Sequence, residues 1–227
     1  APTIDVRPSI TDTTESLERG AQAQMVKAAE LARHMGYPIN RLLTVRTRAM
    51  RNTGEGGIFR NGTQAECIKG FLEKSRHWFS YRGIPVANIW VREYSTHHGE
   101  HFHMAYHQQD EHDAEYAVQL AEWAEEPMSD DDDLDGRTVA RSIYGAWDIQ
   151  RCVKGNTTGT RTAAYLGKAE PSQIITAWGK IKLNLAKPRR SYKGGTGPIK
   201  GNGKHAFRWG TSRSLGRTQR DRNGFQL

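Results

Sequence analysis

Apolar residues recur along this chain at two spacings, and the switches between them divide it into elements. Over 14–35, Leu17, Met25, Ala28, Ala32 and Met35 form a helical stripe that Gly36 and Pro38 bring to a close. The run RLLTVRT (41–47) is short and β-branched, as a strand prefers. A Gly/Asn-rich loop (52–62) leads to Thr63-Gln-Ala-Glu66, a capping box whose side chains satisfy the N–H groups that a helix start leaves unpaired. The helix it opens carries Ile68, Phe71, Leu72, Trp78 and Phe79 and stops near Gly83-Ile84-Pro85. VANIWVREYS (86–95) and HFHMAYH (101–107) predict a second and third strand joined by a turn at Gly99. A helix from about Asp110 to Glu126 follows, bearing Tyr116, Leu120 and Trp123. Beyond an acidic loop, SDDDDLDG (129–136), the run RSIYGAWDIQRCV (141–153) predicts a fourth strand. A short helix over 160–170 and another opening at Pro171 complete the pattern.

From 41 to 153 the order is therefore β-α-β-β-α-β. That is a ferredoxin-like α+β core, an antiparallel sheet with its helices on one face. Residues 1–40 read as an N-terminal helical extension, 41–170 as the main domain, and 171–227 as a C-terminal helix and basic tail.

Charge changes this picture at one end only. The chain carries +8, yet 187–227 holds eleven Lys/Arg against Asp221 alone, so the preceding residues are slightly acidic. Phe207 and Trp209 are interleaved with the basic residues, which makes Lys204, Arg208 and Trp209 candidates for contact with a phosphate backbone and unstacked bases. A solubilising tail explains the same composition. No apolar run approaches the ~20 residues of a membrane span, and the first residues lack the apolar core of a signal peptide. Cys67 and Cys152 form no metal-type pair and suit a reducing compartment. GGTGPIKGNGKH has neither the glycine spacing nor the Ser/Thr of a phosphate loop.

Candidate chemistry concentrates in REYSTHHGEHFHMAYHQ (92–108), with five histidines inside eleven positions. Alternation on the third strand puts His101, His103, Ala105 and His107 on one face and Phe102, Met104 and Tyr106 on the other. The helices pack on the apolar face, so the histidines are expected on the open one. A hairpin brings Glu93 beside His101 and His103, giving two imidazoles and a carboxylate for a divalent ion. His107 is an auxiliary candidate ligand, and His97 and His98 read as turn residues. A solvated histidine pair is the plainer explanation until the downstream helix is considered. There Tyr165 and Lys168 stand three apart with Arg161 a turn earlier, on one helix face. A tyrosine beside cations suits phosphoryl transfer, since neighbouring positive charge favours the phenolate.

His101-Phe-His103 resembles the His-hydrophobic-His motif of HUH endonucleases, and Tyr165-Leu-Gly-Lys168 resembles their Tyr-x-x-Lys nucleophile motif. Glu93, with Gly99-Glu100-His101 closing the turn, is similar to the Glu…GEPHLH pattern of single-tyrosine rolling-circle replication initiators. LLTVRT (42–47) stands where those carry a first motif, loosely matched. Glu100 replaces the usual Pro, and no helicase domain follows the motifs.

The resemblance spans roughly 41–170 and implies sequence-specific nicking and joining of single-stranded DNA. Glu93, His101 and His103 would hold Mg²⁺ or Mn²⁺. Tyr165 would form a 5′-phosphotyrosine and Lys168 would steady the phosphate. Arg46 and Arg161 are expected to contact DNA. Implied partners are single-stranded DNA at an origin, in a hairpin, and a host helicase and polymerase, with no membrane. The setting expected is a prokaryotic cytoplasm, or a nucleus if the replicon is a eukaryotic virus. An HUH-type transposase and a non-catalytic DNA-binding module are the alternatives. A two-histidine, one-carboxylate oxygenase fits poorly, because such sites are usually built on many-stranded barrels.

Overall fold

A computed structural model of the chain describes residues 19–46, 64–95, 99–130, 136–152, 158–166, 174–176, 179–181 and 209–223. Its centre is a six-stranded antiparallel sheet. The strands are β1 (Arg41–Arg46), β2 (Asn88–Ser95), β3 (Gly99–Tyr106), β4 (Thr138–Arg141), β5 (Trp147–Arg151) and, from the basic tail, β8 (Trp209–Thr211). They run in the order β4-β5-β1-β3-β2-β8. The inner four, β5-β1-β3-β2, form the sheet expected of a βαββαβ core, with β4 and β8 added at its edges.

The two core helices, α2 (Gln64–Tyr81) and α3 (Asp113–Ala124), bury their stripes against the even-numbered residues of β3 and the odd-numbered residues of β1. Phe71, Trp78, Phe79, Phe102, Tyr106 and Tyr116 meet there in edge-on and tilted contacts. Aromatic pairs of this kind add ~0.5–1.5 kcal/mol each beyond the burial of their area. Polar groups enter this layer too, among them Arg41, Arg92 and Ser75. Arg41 is buried and donates to both oxygens of Asp113, at 2.9 and 2.8 Å, and to Asp110. It ties the start of β1 to the N-terminus of α3.

The opposite face was expected to be open, and here the structure differs. Helix α1 (Arg19–His34) and helix α4 (Thr158–Leu166) lie over part of it. Met25, Leu31, Ala32, Ala163 and Leu166 pack with Ile89, Val91 and Ala105 into a second apolar cluster. The stripe on α1 is wide because Met25, Val26, Ala28, Ala29, Leu31 and Ala32 are all buried. A helix apolar over so much of its circumference needs a sheet under it and a helix beside it. Helix α1 is thus part of the core.

Helix α1 ends at Gly36 and α2 at Gly83, both at positive φ, with the paired backbone hydrogen bonds of a Schellman cap. These are the two stops that the glycines predict.

Two expectations change in the second half. The single strand expected over 141–153 is instead a hairpin, β4 and β5, whose turn contains Ile143, Tyr144 and Gly145. Gly145 has φ +77°, which an L side chain rarely adopts, so the chain must bend where the apolar run suggested it would continue. The helix expected at Pro171 is also absent from the described residues that follow it: β6 (Ile174–Thr176) pairs with β7 (Gly179–Ile181). Three consecutive β-branched residues favour that strand over a helical turn. Within the basic tail, β8 is followed by a short 3₁₀ turn and α5 (Arg217–Arg222). Leu215 and Arg220 are buried there.

Candidate functional site

The face that carries the histidines is best followed row by row across the sheet. Register places Glu93, His101 and Arg46 side by side on β2, β3 and β1. The next row is Val91, His103, Thr44 and Asp148, the last from β5. The row after that is Ile89, Ala105, Leu42 and Gln150. Cross-strand neighbours on one face sit ~5 Å apart. The face therefore changes from apolar to polar within two rows. The apolar part lies under α1 and α4, and the polar part collects the candidate ligands.

His101 is 8% exposed and His103 half-buried. Their rings stand edge to face, with centroids 5.1 Å apart. His103 Nδ1 lies 3.1 Å from Thr44 Oγ1. Thr44 in turn donates to the carboxylate of Asp148. Thr44 Oγ1 thus stands between an imidazole nitrogen and a carboxylate, and a hydroxyl has one proton to give. A carboxylate linked to a ring nitrogen through a neighbour favours the tautomer with its lone pair on the other nitrogen. Burial raises the Asp148 carboxyl above its ordinary value, opposed by the Thr44 hydrogen bond, the charge of Arg46 and a Gln150 hydrogen bond. Neither Thr44 nor Asp148 stands out in the sequence as a functional residue. The signal that could have found them is parity, since both share the histidine face once β5 is placed beside β1.

Among the described side chains no three His, Cys, Asp or Glu groups assemble as a metal site. His101 and His103 are two members of such a set, and Glu93 is placed opposite His101 by its backbone register alone; its side chain lies outside the described residues. Two imidazole nitrogens and one carboxylate suit a divalent cation with positions left open for phosphate oxygens. His107 does not belong with them. It stands four residues beyond His103, ~13 Å along a strand, and its Nδ1 contacts the carbonyl of Pro38 at 2.9 Å. Its ring lies against Tyr37, and burial lowers its pKa despite that hydrogen bond. It ties the end of β3 to the segment after α1.

Tyr165 lies in the last turn of α4, on the helix that covers the rows next to the histidines. Its side chain lies outside the described residues, as do Lys168, Lys204, Arg208, His97 and His98. The seat of α4 is defined by its other residues. Ala163 and Leu166 are buried, Arg161 is exposed, and Thr160 donates to the buried Glu30 of α1. Glu30 also accepts from Arg33 at 2.9 Å. Arg33 holds the Glu30 carboxylate within α1, and Thr160 ties α4 to it.

Arg46 lines a polar cavity beside the hairpin turn, where its guanidinium lies over Gly145. Trp209 pairs with Val91 at the sheet edge and packs partly buried against the second cluster. That packing is a structural role for a residue expected to meet DNA. No described helix is long and apolar enough to cross a membrane. Against known proteins the chain matches no family model, no curated protein and no solved structure.

Proposed function

We propose that this chain nicks and rejoins single-stranded DNA through Tyr165, as an HUH-type, single-tyrosine endonuclease that starts rolling-circle replication. One observation carries the reading. His101 and His103 occupy the polar rows of the face that α4, the helix bearing Tyr165, covers, and Glu93 is in register with His101. The motifs are far apart in the chain, and nothing about an apolar sheet requires them to share one face.

In this reading the phenolate of Tyr165 attacks the scissile phosphorus in line. The bond to the 3′ oxygen breaks, and the departing oxyanion takes up from solvent a proton equivalent to the one Tyr165 released, leaving a 3′-OH and a 5′-phosphotyrosine. The 3′-OH of the same or another strand reverses the step, and one phosphodiester is exchanged for another with little change in free energy. His101, His103 and Glu93 would hold Mg²⁺ or Mn²⁺, which supplies charge to polarise the phosphate. Thr44, linked to Asp148, would favour the His103 tautomer whose lone pair is at Nε2. Lys168 and Arg161 add positive charge near the nucleophile. A host helicase and polymerase would extend the freed 3′-OH.

The test is incubation of the full chain with Mn²⁺ and a random pool of single-stranded DNA, followed by denaturing gels and sequencing of the adducts. Covalent adducts are expected from the wild type and none from Tyr165→Phe, which should still bind DNA. Adducts that persist in Tyr165→Phe overturn the nucleophile assignment. DNA binding without adducts from either protein points to a non-catalytic binding module.

A further inference from the structure

The turn of the β4–β5 hairpin joins features that the nicking reaction leaves unused. Ile143 is 54% exposed and Tyr144 79% exposed, although neither is at a chain end. The turn that presents them is braced at its backbone N–H groups from Ile143 to Trp147. Tyr144 N–H and Ala146 N–H both donate to one oxygen of the buried Glu126, at 2.9 and 3.1 Å. Ile143 N–H donates to Pro127 O at 3.1 Å. Ser142 Oγ accepts from Trp147 N–H at 3.1 Å and donates to Trp147 O at 3.3 Å. An aromatic ring held out in water on a rigid turn is pre-organised for contact, because little further order is lost when something stacks on it.

Beside the ring lies a cavity of about 520 Å³, lined by Arg46, Arg141, Asp148, Gln150, Ile143 and Tyr144 among others. Small-ligand sites span ~300–1,000 Å³. Arg46 reaches the cavity across Gly145, where an added Cβ would lie 2.7 Å from the guanidinium. Two arginines against one aspartate give the cavity a positive balance. Donors for phosphate, an amide and a carboxylate for base edges, and an exposed ring together match one nucleotide of a single strand. The cavity shares Asp148 with the row that holds His103 and Thr44, so a strand engaged there continues toward the histidine pair.

We propose that this cavity is a single-nucleotide subsite, with a base stacked on Tyr144 and its phosphate on Arg46 and Arg141. The occupant is the DNA strand next to the scissile bond, so the proposal rests on the nickase reading and deepens it.

The probe is a pool of single-stranded oligonucleotides carrying 5-iodouracil, mixed with the full chain and Mn²⁺ and photo-crosslinked. Peptide mapping should place the cross-link at Tyr144. In parallel, Tyr144→Ala should bind the same pool roughly 5- to 150-fold more weakly by fluorescence anisotropy, the worth of one stacked base. Arg141→Ala should lower affinity and flatten its salt dependence. Cross-links that avoid the turn, while Tyr165 adducts still form, overturn the subsite and leave the nickase intact. Cross-links at Tyr144 without adducts keep the subsite and remove the nickase. A Tyr144→Ala chain with unchanged affinity but lost self-association assigns the patch to a second copy and overturns the proposal. Correct folding of each variant is read from its far-UV spectrum and melting curve.

Discussion

The two faces of the sheet are built from the same strands by the same alternation, yet they serve different ends. On the α2–α3 face most positions are apolar or aromatic, the buried Arg92 stands opposite Phe102, and Arg41 at the rim is neutralised by two aspartates. On the α1–α4 face the apolar rows give way after Val91 and Ala105 to Thr44, Arg46, Asp148, His101 and His103. The first face is filled by its own packing. The second keeps imidazoles, hydroxyl and carboxylate in one hydrogen-bonded patch, at the cost of apolar contacts it could have made. Stability and chemistry are thereby separated by one residue of register, and substitutions on the two faces should report on different properties.

The largest effects belong to the packed face. Phe71→Ala should lower unfolding free energy by ~3–5 kcal/mol in a denaturant melt, as removal of a buried ring does. Arg41→Ala should cost about as much, ~3–5 kcal/mol, because it leaves the Asp113 carboxylate buried beside Gln108 with the half-exposed Arg151 guanidinium, 3.6 Å away, as its remaining described cation. A loss below ~1 kcal/mol for Arg41→Ala would show that water replaces the guanidinium, and the two faces would then differ less than their side chains suggest.

The histidine face should behave in the opposite way. His101→Ala and His103→Ala are expected to leave the melting midpoint nearly unchanged and to reduce Mn²⁺-dependent nicking at least ~100-fold, as loss of a first-ligand imidazole does. Unfolding of either variant would make these histidines core residues. Thr44→Val is the finer probe. It keeps the shape of the side chain and removes the hydroxyl between Asp148 and His103, so metal affinity should fall ~10–100-fold by titration calorimetry, with the fold retained.

The smallest effect is electrostatic. The hydrogen bond from Arg41, and then its charge, hold the Asp110 carboxyl below its ordinary value of 3.8. Its folded pKa is lower than its unfolded one, so its stabilisation is complete above pH ~5 and is lost as pH falls through the folded value. Asp110→Asn should slightly lower stability at neutral pH and flatten this acid limb. An acid limb as steep in the variant as in the wild type would assign it to other carboxylates.

The parts of the fold that could be read in advance are those where local and global preferences agree. Strand β1 alternates buried and half-buried positions along its length, and the glycines at 36 and 83 stop helices where backbone sterics require it. Reading failed where a short apolar run suits more than one environment. Ile143, Tyr144 and Trp147 look alike in a pattern, but Trp147 is buried and the other two stand in water on a turn. Strand β8 has three residues, too few to show any period, and its place at the edge of β2 depends on contacts more than a hundred residues away in sequence.

The histidine stretch shows the same division. Its alternation alone separates His101, His103 and His107 from Phe102, Met104 and Tyr106, since side-chain direction in a strand is a local property. Alternation cannot separate His107 from the other two, because all three share parity. Pro38 and Tyr37 do that, by binding the ring at the far end of the strand. Nor can it supply Thr44, which meets His103 only when β1 lies beside β3, or Asp148, which meets Thr44 only when β5 lies on the other side of β1. Periodicity along the chain sets which residues face one way. Which of them meet is set by strand order and by the helices that dock on each face, and both are decided by packing between segments distant in sequence.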